Sequence, residues 1–176
     1  MTRSQLEHII RAASQIVDED ELVIIGSQAV LGQFPSAPAA LLASVEVDVF
    51  PKNRPELADL IDGTLGELSP FHDAFGYYAH GVGPTTAILP RGWQERLVPI
   101  HNENTRGATG WCLEVHDLVV SKLVAGREKD IEFARVAVLD ALVRPDVLSE
   151  RLSETDLDDT GLRDAVATRL QVILTR

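Results

Sequence analysis

The chain has 176 residues, 45% hydrophobic and 24% charged, which fits one globular domain or one domain with a helical extension. Its formal net charge of −11, from 16 basic and 27 acidic residues, argues against a general DNA- or RNA-coating protein, because such proteins need clustered Lys and Arg. No apolar run approaches the roughly 20 residues of a membrane span, and the single cysteine excludes an internal disulfide framework, so we expect a cytoplasmic protein.

Apolar periodicity, capping residues and turn residues predict the elements in chain order. The first part is predicted to contain a helix capped by the Ser4-Gln5-Leu6-Glu7 box, a strand over 22–25, a helix over 27–31, a strand over 45–50 and a helix capped by Asn53. Strands over 75–80, 85–89, 96–100 and 111–115 follow, then helices over 117–125, 128–143, 146–152 and 159–174. This order indicates an α+β fold, with a core over 1–115 and a helical C-terminal region over 116–176.

Two features of the first half predict a site. Strand side chains alternate between faces, so Glu46 and Asp48 point the same way, about 7 Å apart, and their oxygens suit hard divalent cations. The Gly26-Ser27 turn, if it opens a helix, offers free backbone N–H groups and the positive end of the helix dipole to a phosphate. Each feature also has a simpler interpretation: the acids as the solvent face of an edge strand, and the turn as an ordinary helix cap.

The segments Ile25-Gly26-Ser27 and Glu46-Val47-Asp48-Val49 together resemble the signature of the DNA polymerase beta-like nucleotidyltransferase superfamily. That signature is an apolar residue, Gly, Gly or Ser, a gap, and then acid-apolar-acid-apolar. Residues 116–130 are similar to the Asp-x4-Lys, Ala, basic-Asp segment of small toxin-type nucleotidyltransferases such as the AbiE type. The resemblance implies a minimal nucleotidyltransferase fold, with a small mixed β-sheet flanked by helices.

The resemblance also implies a reaction and roles for particular residues. An acceptor hydroxyl on an RNA, a protein or a small molecule would attack the α-phosphate of a nucleoside triphosphate and expel pyrophosphate. Toxin-type membership would add a cognate antitoxin as a partner. The implied roles are two Mg²⁺ ions held by Glu46 and Asp48, a phosphate cradle of Gly26 and Ser27, and charge neutralisation by Lys122 and Lys129 with Asp130.

The sequence departs from the superfamily pattern at three points. The gap over 28–45 is long, and its turn-prone insert over 33–38 is expected to loop out. The first acid is Glu instead of Asp, and the third carboxylate has no clear counterpart, with Glu95 as the best candidate for the general base. These departures keep a second interpretation open, a catalytically inactive relative that binds a nucleotide or a partner protein.

Overall fold

The structure is a computed structural model and describes residues 1–175. Within them, the helices are α1 (Arg3–Val17), α2 (Ala58–Leu65), α3 (Pro70–Phe75), α4 (Val115–Ala125), α5 (Glu128–Leu139), α6 (Pro145–Ser153) and α7 (Thr160–Leu174). The strands are β1 (Glu21–Ile25), β2 (Glu46–Pro51), β3 (Tyr78–Gly81), β4 (Val98–Ile100) and β5 (Thr109–Cys112). The predicted α+β class, with a mixed sheet and C-terminal helices, is confirmed.

The five strands form one sheet in the order β3-β2-β1-β5-β4. β1 pairs antiparallel with β2 and parallel with β5, while β2 pairs parallel with β3. In this register Ile25 lies opposite Asp48, and Asp48 lies opposite His80. Ile25 at the end of β1, Asp48 on β2 and His80 on β3 therefore lie in one row across the sheet.

The two faces of β2 lie in different environments. Val47 and Val49 are fully buried, and alternation places them on the face opposite Glu46 and Asp48. Helices α1 and α2 both contact β2, whereas α4 and α5 supply side chains to the cavity on the acidic face. Helix α4 is apolar around most of its circumference and also contacts α5, α6 and α7, as expected for a central buried helix.

Two helix starts differ from the sequence-based prediction. The capping box of α1 begins at Thr2, whose hydroxyl accepts a hydrogen bond from the Gln5 N–H at 3.3 Å, so the predicted box at Ser4 is wrong by two residues. Asn53 does not cap a helix, because its side-chain amide bonds Glu19 at 3.0 Å and a 3₁₀ helix over Pro55–Leu57 precedes α2.

The middle of the chain differs most from the prediction. The strand predicted over 75–80 is shortened to β3, because Ser69 and Pro70 start helix α3, with the Ser69 hydroxyl accepting from the His72 N–H. The strand predicted over 85–89 is a loop. The last two predicted strands are shortened at opposite ends: a 3₁₀ helix over Trp93–Arg96 precedes β4, and β5 ends at Cys112, shortly before α4.

The four C-terminal helices are confirmed with small shifts at their ends, the largest being that α5 ends at Leu139. No helix within residues 1–175 is both long and apolar enough to span a membrane. The division of the chain between residues 115 and 116 stays a prediction.

Candidate active site

The bend after β1 lies against the second acid of β2. Gly26 has φ +73° and ψ −173°, a conformation that side-chain-bearing residues rarely adopt. A Cβ built on Gly26 would lie 2.1 Å from Asp48 Oδ2. Glycine at this position therefore permits both the bend and the close approach of the carboxylate.

Three potential metal ligands converge beside this bend. Glu46 and Asp48 share one face of β2, and the parallel pairing with β3 adds His80 to them. One ligand atom from each of the three residues lies within 4.8 Å of the other two. His80 Nδ1 is 3.1 Å from Asp48 Oδ1 and 3.9 Å from Glu46 Oε1. The Tyr78 hydroxyl donates a hydrogen bond to Glu46 Oε2 at 2.7 Å, which fixes the orientation of that carboxylate.

The electrostatics of this cluster favour a positive charge. Burial raises the pKa of Asp48 above its ordinary value, and the neighbouring charge of Glu46 raises it further, while the hydrogen bond with His80 acts in the opposite direction. Burial and the bond to Glu46 likewise raise the pKa of Tyr78, so its phenol stays a neutral donor. Two carboxylates held this close are relieved of their mutual repulsion by a cation between them.

The cluster opens into a cavity of about 490 Å³, within the size range of small-molecule sites. An adjoining cavity of about 280 Å³ contains Gly26 and shares Asp48, Lys122 and Arg127 with the first. The two cavities bring together seven of the eight predicted site residues, namely Gly26, Ser27, Glu46, Asp48, Lys122, Lys129 and Asp130.

Two of the basic residues are held by a buried carboxylate. Lys122 Nζ lies 3.2 Å from Asp130 Oδ1, and Arg127 Nε lies 2.6 Å from Asp130 Oδ2. Burial opposes the ionisation of Asp130, but the hydrogen bond from Arg127 and the charge of Lys122 together lower its pKa. Lys122 is itself buried, so its charge is partly compensated within the protein, whereas Lys129 is exposed at the cavity.

Comparison with known families identifies the family of the chain. Residues 4–171 match the profile of the family described as "Nucleotidyltransferase of unknown function (DUF6036)". The chain belongs to this nucleotidyltransferase family. No curated protein and no solved structure matches the chain significantly. The nucleotidyltransferase part of the sequence resemblance is therefore confirmed, and the AbiE-type relationship stays a prediction.

In this nucleotidyltransferase the predicted third acid does not line either cavity. Glu95 is exposed in the Trp93–Arg96 3₁₀ helix, next to β4, at the sheet edge opposite β3. The geometry thus gives no support to Glu95 as the general base. His80 completes the cluster instead, and sequence reasoning missed it because the parallel register of β3 against β2 is not visible in local sequence.

Two segments flanking the acids also depart from the expectation for this nucleotidyltransferase. The element after Gly26 is a six-residue 3₁₀ helix, Ser27–Gly32, instead of an α-helix, so the dipole expected there is smaller. The insert over 33–38 packs instead of looping out: Gln33 Oε1 accepts from the Val115 N–H at 2.6 Å, at the start of α4. The Ala39–Leu42 3₁₀ helix that follows contributes to the cavity wall.

Proposed function

We propose that the protein transfers a nucleoside monophosphate from a nucleoside triphosphate to an acceptor hydroxyl, with a divalent metal held by Glu46 and Asp48. One observation carries the proposal: both carboxylates lie beside the Gly26–Ser27 bend in a cavity that also contains Lys122 and Lys129. Membership of a nucleotidyltransferase family supports the reaction class.

The residues present fit a divalent cation. Glu46 and Asp48 offer carboxylate oxygens on one face, and Tyr78 holds the Glu46 carboxylate in place. A bound divalent cation would polarise the α-phosphate and stabilise the attacking and leaving oxygens of the transfer. The sequence-based prediction of two Mg²⁺ ions belongs to this proposal.

The remaining wall residues have separate tasks in the proposal. Gly26, without a side chain, leaves room for phosphate oxygens near the backbone, and Ser27 adds a hydroxyl. Lys129 and Arg127 place positive charge at the cavity, where the triphosphate enters. Lys122 holds Asp130 and thereby orients Arg127.

The apolar part of the cavity wall suits a nucleobase. It is lined by apolar side chains from the Ala39–Leu42 segment and from α5, among them Leu41, Phe133 and Val136. An aromatic ring and aliphatic groups in the same cavity as the charged residues match the two ends of a nucleotide, whose base is flat and whose phosphates are anionic. Apolar contacts do not read the hydrogen-bonding edge of a base, so we expect them to discriminate weakly among nucleoside triphosphates.

A second function, nucleotide or partner binding without transfer, is favoured by one observation. The third member of the cluster is an imidazole, and the further acids at the cavity are already paired with cations: Asp130 with Lys122 and Arg127, and Glu132 with Arg135. Within the described part of the chain, the cavity therefore holds no unpaired third carboxylate that is an evident general base. In this case the protein would bind a metal–nucleotide complex and transfer nothing.

A paired labelling experiment separates the two functions. The protein is incubated with total RNA or total protein and with a nucleoside triphosphate labelled at either the α- or the γ-phosphate. The transferase proposal expects divalent-metal-dependent labelling from the α-position alone, absent in Asp48→Asn. Nucleotide binding without labelling supports the inactive relative, and absence of any nucleotide binding refutes both transfer and nucleotide binding.

The acceptor and the biological role follow from the same experiment. The labelled fraction, whether RNA, protein or small molecule, identifies the acceptor class. Growth arrest on expression of the wild type, absent for Asp48→Asn and relieved by a neighbouring gene product, would support the toxin role and the cognate antitoxin. The Glu95→Gln variant tests the sequence-based assignment of the base, which gains support if this variant loses transfer.

A further inference from the structure

We propose that His80 is a metal ligand and that its nitrogen makes the centre select transition-metal dications such as Co²⁺ and Zn²⁺ over Mg²⁺. The inference rests on the proposed function and goes beyond it, because it names the metal class and a third ligand. It starts from the juxtaposition of an imidazole with two carboxylates across the β2–β3 pair.

The position of His80 Nδ1 carries the geometric part. With metal–ligand distances of about 2.0–2.2 Å, neighbouring ligand atoms of one ion lie about 3.0–3.5 Å apart. The Nδ1 atom is 3.1 Å from Asp48 Oδ1 and 3.9 Å from Glu46 Oε1, so its distance to each carboxylate is within a few tenths of an ångström of that range. The Nδ1 atom thus already faces the place between the two carboxylates.

Packing does not explain the residue at this position. The His80 side chain is 49% exposed, so it contributes little to the core, and its Nδ1 contacts are with the two carboxylates. Its two preceding neighbours on β3 have evident structural roles: Ala79 is fully buried in the core, and the Tyr78 hydroxyl donates a hydrogen bond to Glu46. His80 instead supplies a nitrogen atom that can coordinate a metal, at an exposed position in the cavity wall.

The chemistry of the ligand set gives the metal class. Mg²⁺ prefers oxygen ligands and retains several waters, whereas imidazole suits Zn²⁺, Co²⁺ and Ni²⁺. A neutral imidazole in place of a third carboxylate also leaves one negative charge fewer, which weakens the hold on a hard cation. For a site of mixed nitrogen and oxygen ligands, affinity rises from Mn²⁺ through Co²⁺, so we expect the order Co²⁺ above Mn²⁺ above Mg²⁺.

Three single variants test the proposal on protein from which any polyhistidine tag has been removed. His80→Gln removes the metal-binding imidazole, and His80→Asp makes the cluster all-oxygen. His101→Gln is the matched control, since His101 lies just beyond β4, far across the sheet, and bonds the Ala108 carbonyl at 3.1 Å. Binding of Co²⁺, Mn²⁺ and Mg²⁺ is measured by calorimetry, and the ligand nitrogen is detected by electron spin-echo spectroscopy of bound Mn²⁺.

The proposal expects histidine nitrogen coupling in the wild type and in His101→Gln, and its loss in His80→Gln. Affinity for Co²⁺ should fall at least about tenfold in His80→Gln, and the ratio of Co²⁺ to Mg²⁺ affinity should fall at least about tenfold in His80→Asp. Nitrogen coupling that survives in His80→Gln, or wild-type affinity for Mg²⁺ equal to that for Co²⁺, overturns the proposal.

The outcome is separable from that of the proposed function. If metal-dependent nucleotide binding is lost in Asp48→Asn while Co²⁺ affinity and nitrogen coupling are unchanged in His80→Gln, the site and its function stand and the His80 inference fails. If the wild type binds neither metal nor nucleotide, the proposed function fails as well.

Discussion

Replacing Gly26 with alanine tests the contact on which the site depends. The Gly26 backbone lies in a region that is almost exclusive to glycine, and holding alanine there costs about 1–3 kcal/mol of folding free energy. For a chain of this size 1 kcal/mol corresponds to about 2–4 °C, so we expect Gly26→Ala to lower the Tm by about 2–12 °C.

The same substitution acts on the metal site through geometry. The new Cβ would meet Asp48 Oδ2 at 2.1 Å, Cγ at 3.1 Å and Cβ at 3.3 Å. The Asp48 carboxylate has to rotate away from the bend, which displaces its oxygens relative to those of Glu46. We therefore expect metal affinity to fall at least about tenfold, measured by calorimetry under conditions where the variant is folded.

Gly63→Ala is the matched control. Gly63 lies inside α2, its φ is ordinary, and a Cβ there meets no atom within 4 Å. Alanine should stabilise this helix by about 0.5–1 kcal/mol and leave metal binding unchanged. A Gly26→Ala protein with wild-type Tm and wild-type metal affinity would refute the reasoning about the bend.

Three further expectations rest on single groups. The pKa of Asp48 is raised in the folded protein, so its ionised carboxylate lowers the free energy of unfolding at neutral pH, and this destabilisation disappears as the pH falls. Asp48→Asn should therefore have a higher Tm than the wild type in EDTA, but its Tm should no longer rise when a divalent metal is added. The pKa of Asp130 is lowered in the folded protein, so its carboxylate stabilises the fold at pH values above the unfolded pKa of about 4. In urea titrations the free energy of unfolding of Asp130→Asn should be about 3–5 kcal/mol below that of the wild type at pH 7, and the difference should be smaller below pH 4. Burial raises the pKa of Cys112 to about 12, so a thiol reagent should label it only after unfolding, and rapid labelling of the native protein would contradict its burial.

Local sequence was sufficient for the elements whose patterns are strong. The apolar run before Gly26 and the alternating strand over 45–50 placed β1 and β2 within one residue, and the periodic C-terminal segments gave four helices. The alternation of β2 also predicted that Glu46 and Asp48 share a face. These features depend on the chain near each residue, which is what a single sequence records.

Longer-range features were not predictable in the same way. Thr86 lies in a predicted strand but belongs to a loop at the cavity, because no neighbouring strand pairs with it. His80 and Gln33 act through partners 32 and 82 positions away, and no local pattern reports such contacts. The start of α3 is a different case, since Ser69 followed by Pro70 is a recognisable local cap that the prediction missed.

The outermost place of β3 has a consequence for how the site fails under stress. Within the sheet that residues 1–175 form, this four-residue strand pairs only with β2, and it carries both His80 and Tyr78. Local unfolding of such an edge strand requires less free energy than unfolding of the whole domain. Amide hydrogen exchange should therefore show early opening at 78–81, and each opening event would release an imidazole and a phenol from the acids at once while the core stays intact.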